Sequence, residues 1–242
     1  SEFNAFIWYW LWLKVPNRQP KENEAYYEFK RYFTDDYDGD TESLLKELRE
    51  YAQRYASLFR DKEKDADLRR VFSRIASLDV RQIRPLLMLL YSVYERNRLD
   101  RNAFLRICET IESFLFRRAV CGRLTTGLNN FFAGMYRNLE QQDDIEEYVT
   151  AMLLIHSSGM TAHFPTDEHF VEEFKTRDCY NRFSKKRYYL ERMENWHHPK
   201  EPISADNYQI EHVMPQTIDD EHGWKEALGE NWEDSHDRLC KN

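Results

Sequence analysis

Two side chains that can move a proton and hold a cation stand next to each other near the C-terminal end of the sequence. They are Glu211 and His212, within Tyr208-Gln209-Ile210-Glu211-His212-Val213-Met214-Pro215-Gln216. Imidazole is the side chain whose ordinary titration falls nearest neutrality, so it can accept a proton from water at physiological pH. A carboxylate is a hard oxygen ligand of the kind that Mg²⁺ or Mn²⁺ accepts. A phosphodiester repels hydroxide, and its hydrolysis requires both a base near neutral and a cation on the phosphate oxygens. Neighbouring groups of these two types therefore suit what phosphodiester hydrolysis requires. Two plainer readings compete: a structural histidine bonded to a backbone carbonyl, and a glutamate that orients a neighbouring group.

The flanking residues say how such a pair is held. Ile210 and Val213 predict a short strand that sends Glu211 and His212 to opposite faces. Pro215 cannot donate to a ladder and turns the chain into a polar loop. An acidic-His-x-x-Pro run on a strand resembles the first half of the HNH nuclease motif, the ββα-metal finger. That resemblance implies His212 as general base, Glu211 as metal ligand, and an Asn or His from the following helix as the remaining metal ligand.

Further polar groups qualify as substrate contacts. His236 lies in the second segment of the motif and is read as a phosphate contact or as a solvated helix residue. Lys185, Lys186 and Arg187 form the best local basic patch and precede the motif. They suit backbone phosphates in a sequence-independent way, or simply a solvated face. His197 and His198 read as loop residues, and Arg117 and Arg118 as partners of phosphates or of carboxylates inside the bundle.

The rest of the chain must position these groups. Its 242 residues allow one large domain or two small ones, and 41% hydrophobic content supports a core. Seven glycines and seven prolines argue against turn-rich β architecture. A formal net charge of −8 excludes a surface coated in basic residues for non-specific DNA binding. Local patches and a metal still permit a nuclease. Cys108, Cys121, Cys179 and Cys240 show no C-x-x-C pairing, which argues against a zinc ribbon or a disulfide framework and for reduced thiols in a cytoplasmic protein. The apolar run Phe3–Leu13 is too short to span a bilayer and lacks the basic leader of a secretory signal, so it reads as a core helix and no membrane partner is expected. So many aromatic residues at an extreme terminus suggest that the chain is a fragment.

Helical periodicity dominates. A short aromatic helix is predicted around Tyr26–Phe33, ended by the acidic loop Asp35–Asp40, which lacks the spacing of a calcium loop. Thr41 is read as the N-cap of a helix with a stripe from Leu44 to Phe59, and a second stripe runs from Leu68 to Ile75. Asp79 is read as the cap of a third helix, with Pro85 in its first turn and an almost wholly apolar run from Leu86 to Tyr94. Asp100 opens a fourth, which Gly122 stops. Further helices read over 124–139, 145–155, just after Pro165, and 185–194. The grammar changes after Trp196, so the expected domains are a helical bundle over 1–195 and a partial nuclease element over 196–242.

Four ordered segments carry a more specific resemblance. They are Arg117–Gly122, Phe164-Pro165-Thr166-Asp167-Glu168-His169-Phe170, the helix Arg187–Glu194, and the run Ile210–Thr217 followed by Trp224 and Leu228-Gly229. Together they resemble the GmrSD-like restriction nucleases, which join a ParB-like nucleotide-using domain, marked by D-G-Q-Q-R, to a helical region and a C-terminal HNH nuclease. The sequence contains no D-G-Q-Q-R. The family's G-N-L-T-L-T segment, which carries the metal-site Asn, would follow shortly after His236-Asp237-Arg238-Leu239-Cys240 and is not in the sequence. The resemblance implies a mainly α-helical bundle with a truncated ββα-metal element. It also implies metal-dependent cleavage of DNA, with modified bases as the expected targets, within anti-phage defence. A ParB-like domain of the same protein or a partner subunit is the expected second partner. The competing expectation is a non-catalytic interaction or DNA-docking module carrying an inert HNH remnant.

Overall fold

The computed structural model describes residues 2–155, 164–178, 183–198, 200–209, 211, 213–219 and 222–240. Packing divides the chain into two compact units, one made of Ser1–Arg118 and Arg123–Phe164, the other of Ala119–Gly122 and Pro165–Asn242. The protein is mainly α-helical, and among the described residues there is no strand. No helix among them is long and apolar enough to cross a membrane.

The N-terminal unit is built around α1 (Glu2–Lys14), in which every side chain from Phe6 to Trp12 is buried. A helix that is apolar on all sides must be covered on all sides. α1 accordingly packs against α2 (Ala25–Arg31), α3 (Thr41–Phe59), α5 (Arg84–Glu95) and α7 (Leu128–Leu139). Trp8 Nε1 donates to Pro20 O at 2.7 Å and Tyr9 Oη accepts from Arg81 Nε at 2.8 Å, whereas the buried Trp12 Nε1 has no hydrogen-bond partner among the described residues. Burying each such side chain is worth about 1.5–3 kcal/mol, so this short helix contributes heavily to the stability of the unit.

Caps set the helix starts, with two corrections to the sequence reading. α3 is capped by Asp40 rather than Thr41: the Asp40 carboxylate accepts from Ser43 N at 2.9 Å and from Ser43 Oγ at 2.7 Å. Thr41 is then the first helical residue, because the cap hydrogen bond must span three positions. Asp79 does not start α5. It sits at φ +52° and its N–H closes the last turn of α4 (Ala66–Ser77) by donating to Ala76 O. A 3₁₀ turn over Arg81–Ile83 leads into α5, where Pro85 occupies the first turn, as expected. Asp65 caps α4, and Asp100 caps α6 (Arg101–Val120), accepting from Asn102 N and Ala103 N at 2.8 and 2.9 Å. Arg101 grips Asp65 from two nitrogens at 2.6 and 2.8 Å, which holds the Asp65 carboxyl down at about 2.

Rings of Phe72, Tyr91, Tyr94 and Phe104 meet with centroids 5.0–6.0 Å apart at the centre of this unit. Arg118 is buried, donates to Leu124 O at 2.6 Å and lies over the Phe114 ring, so it ties the turn after α6 rather than facing a phosphate. Asp36 and Asp40 of the acidic loop are engaged with Arg18 and Ser43. α8 (Ile145–Ile155) packs on α7 and completes the unit.

The C-terminal unit contains α9 (Asp167–Thr176), α10 (Lys186–His197), α11 (Trp224–Leu228) and α12 (Trp232–Cys240). Thr166 caps α9 through His169 N. Phe174, Tyr189 and Phe183 stack in sequence, with centroids 5.6 and 5.9 Å apart, and Arg177 joins this cluster to Val120 O at 2.8 Å. Gly122, at φ +63°, ends α6, and a Cβ there would meet the Arg177 guanidinium at 3.0 Å. α10 runs past the expected end at Glu194 to His197, because Glu194 O and its carboxylate receive His198 N and His198 Nδ1, both at 2.9 Å.

Candidate functional site

The segment that carries Glu211 is held from both sides by side chains that clasp backbone. Near the end of α10, Asn195 Nδ2 donates to Ile203 O at 3.0 Å while Ile203 N donates to Asn195 Oδ1 at 2.7 Å. One helical turn earlier, Glu191 Oε2 accepts from Ala205 N at 2.8 Å. These bonds lay residues 203–205 along α10, and the 3₁₀ turn Ala205–Asn207 follows directly.

On the other side of the motif, Pro215 O receives His236 Nε2 of α12 at 2.7 Å, with Cys240 Sγ at 3.6 Å. A carbonyl only accepts, so Nε2 of His236 carries a proton and donates it. The Cys240 sulfur lies 3.1 Å from the same nitrogen. Burial, assisted by the Asp237 carboxylate, pushes its thiol above the ordinary range, which keeps the proton on sulfur. α12 also packs on α11, with Lys225 over the Trp232 ring. The described residues on either side of Glu211 are thus tied to α10 and to α12.

The strand expected over this run is not what its described residues form. Tyr208, Gln209 and Glu211 are irregular, Val213 and Met214 lie in a bend, and Val213 is 90% exposed. The physical reason is that an extended segment becomes a strand only when a second one takes its N–H and C=O groups. Here the clasps from α10 and α12 satisfy backbone groups on either side instead. His212 and Ile210 lie outside the described residues.

Glu211 is exposed, and among the described residues it makes no hydrogen bond or ion pair, so its oxygens are available to a cation or a donor. It lines a cleft of about 350 Å³ together with Arg187, Leu190, Ile203, Tyr208 and Gln209. The structure therefore brings Glu211 and Arg187 to one cleft. Lys185 sits at the N-cap of α10, and Lys186 and Arg187 in its first turn, where the helix dipole disfavours cations and a bound anion compensates it. His236 is placed on the far side of the run, with Nε2 committed to Pro215. Among the described residues no three His, Cys, Asp or Glu side chains converge on a point that could hold a metal ion. Among the described residues of the motif, Glu211 offers a hard oxygen ligand.

Sequence reasoning missed Asn195, Glu191, Tyr208 and Gln209. The available signal was weak: an Asn in the last turn of a helix, followed by a loop, has both a donor and an acceptor for one extended residue.

Residues 164–242 match the family model for the C-terminal domain of GmrSD restriction endonucleases. That segment coincides with the compact C-terminal unit, which takes up the chain at Pro165. No curated protein and no solved structure matches the chain.

Proposed function

We propose that the chain is the DNA-cleaving part of a restriction endonuclease, and that its C-terminal unit hydrolyses phosphodiesters at the Glu211-His212 pair. The observation that carries this reading is the match of residues 164–242 to a restriction-endonuclease C-terminal domain, over a unit in which Ile203 and Pro215, on either side of the pair in sequence, are tied to two helices. Glu211 would hold a divalent cation, which would supply charge neutralisation on the scissile phosphate. His212 takes the proton of the attacking water. Arg187 pairs with a phosphate next to the scissile one. His236 acts on the motif through Pro215 O and not through the substrate.

The biological setting of this reading is defence against foreign DNA that carries modified bases, with recognition and nucleotide control supplied by a ParB-like domain, in a cytoplasmic protein. An HNH-type site would take an Asn or His as its further metal ligand.

The test is conversion of supercoiled plasmid to nicked or linear forms by the natural protein that carries this chain, with Mg²⁺ or Mn²⁺ and with EDTA. Cleavage that needs the cation and falls at least 100-fold in Glu211→Ala is the expected result. Cleavage unaffected by EDTA, or unaffected by Glu211→Ala, overturns the metal-ligand assignment. A protein that binds DNA and never cuts it restores the docking-module reading.

A further inference from the structure

The cleft between α10 and the loop after it is built for more than a phosphate. Its walls are of two kinds. Leu190 and Ile203 present apolar surface that is 37% exposed in each case, and the Tyr208 ring is 58% exposed beside them. Gln209 brings an amide with two donors and an acceptor, and Arg187 brings a guanidinium. Of the carboxylates that line it, Glu191 holds Ala205 N and Glu194 holds His198, so both are already engaged in fixing the walls. Glu211 alone keeps its oxygens for other partners, and it stands next to His212 in sequence.

A flat heterocycle with a polar edge and an attached phosphate fits this combination. Open aromatic and aliphatic faces stack a base without regard to its identity, an amide reads a base edge, and a guanidinium takes the phosphate. A cleft of about 350 Å³ lies at the small end of ligand sites, where a single nucleotide belongs and a duplex does not. A base paired inside a duplex cannot present its face to Tyr208.

We propose that the cleft accepts one unpaired nucleotide of the DNA substrate, stacked on Tyr208 against Leu190 and Ile203, with Gln209 on its base edge and Arg187 on its phosphate. The proposal rests on the nuclease reading for its substrate and adds that the strand is locally unpaired next to the cut.

The test is fluorescence anisotropy of a fluorescein-labelled single-stranded oligodeoxynucleotide, and of its duplex, titrated with the full chain in EDTA so that nothing is cut. The single strand binds more tightly than the duplex. Tyr208→Ala weakens single-strand binding at least fivefold, while Tyr208→Phe, which keeps the ring, stays within twofold. Because Tyr208 is exposed, the circular dichroism of both variants matches that of the wild type. Equal affinity for single strand and duplex, no binding of the single strand, or a Tyr208→Ala variant within twofold of wild type overturns the proposal. The outcomes separate the two readings: tight, Tyr208-dependent binding by a protein that never cleaves plasmid sinks the nuclease and keeps the cleft. Metal-dependent cleavage with Tyr208-independent binding does the reverse.

Discussion

In the N-terminal unit Tyr9, Trp10, Leu11, Phe104 and Phe114 have no exposed surface, whereas α9, α10, α11 and α12 of the C-terminal unit contribute no buried residue. Phe183, between α9 and α10, is the C-terminal unit's buried ring among the described residues. The first unit stands on apolar burial around α1 and the Phe72–Tyr91–Phe104 cluster. The second stands on ring edges and on side chains that grip backbone, such as Asn195 on Ile203 and His236 on Pro215. On the proposed function, the difference is what a site for a charged polymer requires. Such a site must leave backbone, carboxylate and cations open to solvent, and a rigid scaffold elsewhere supplies the stability that it forgoes.

The comparison breaks or sharpens under substitution. Phe104→Ala should cost about 3–5 kcal/mol, because it empties the centre of a sealed core, and Phe174→Ala about 1–2 kcal/mol, because a half-buried ring returns part of its transfer energy. Urea unfolding of each variant checks this, and equal costs would erase the distinction between the units. Asn195→Ala removes two hydrogen bonds worth about 1–2 kcal/mol together. It should deprotect the Ile203 amide in hydrogen exchange and lower plasmid cleavage without altering the N-terminal unit. Thr166→Ala removes the cap of α9 and should cost about 1 kcal/mol, confined to the C-terminal unit.

The smallest effect is one of pH. The Asp65 carboxyl is held down at about 2 by Arg101, so the stability it contributes is complete above the ordinary carboxylate range and disappears as pH falls toward 2. The pair is partly exposed and screened, which keeps the effect modest. Asp65→Asn should lower the urea midpoint at pH 5, and the gap from wild type should narrow steadily as the pH is taken down to 2.5. A gap that stays constant would contradict the assignment.

Much of the fold was legible because helical periodicity is a property of the chain alone. The stripes Leu44–Phe59 and Leu68–Ile75 became α3 and α4, Asp100 capped α6, and Gly122 ended it. Thr41 and Asp79 misled, since several residues near a helix start can cap it and only geometry chooses which does. The site was legible in its chemistry and not in its support. Ile210 and Val213 suggested a strand by pattern, but pattern cannot supply the partner that a strand needs, and the clasps that hold this run come from Asn195, Glu191 and His236. Such contacts join residues 8 to 21 positions apart, beyond any local periodicity. The cut between compact units at Pro165 was likewise not marked by composition, which changes only after Trp196.

The central claim is that His212 takes a proton from the attacking water, and chemical rescue tests it most directly. His212→Gly should lose metal-dependent plasmid cleavage by a factor of about 100 or more. Free imidazole added to that variant should restore a measurable part of the rate, saturating with concentration and still requiring the cation. A His212→Gly variant that cuts at the wild-type rate without added imidazole would contradict the account.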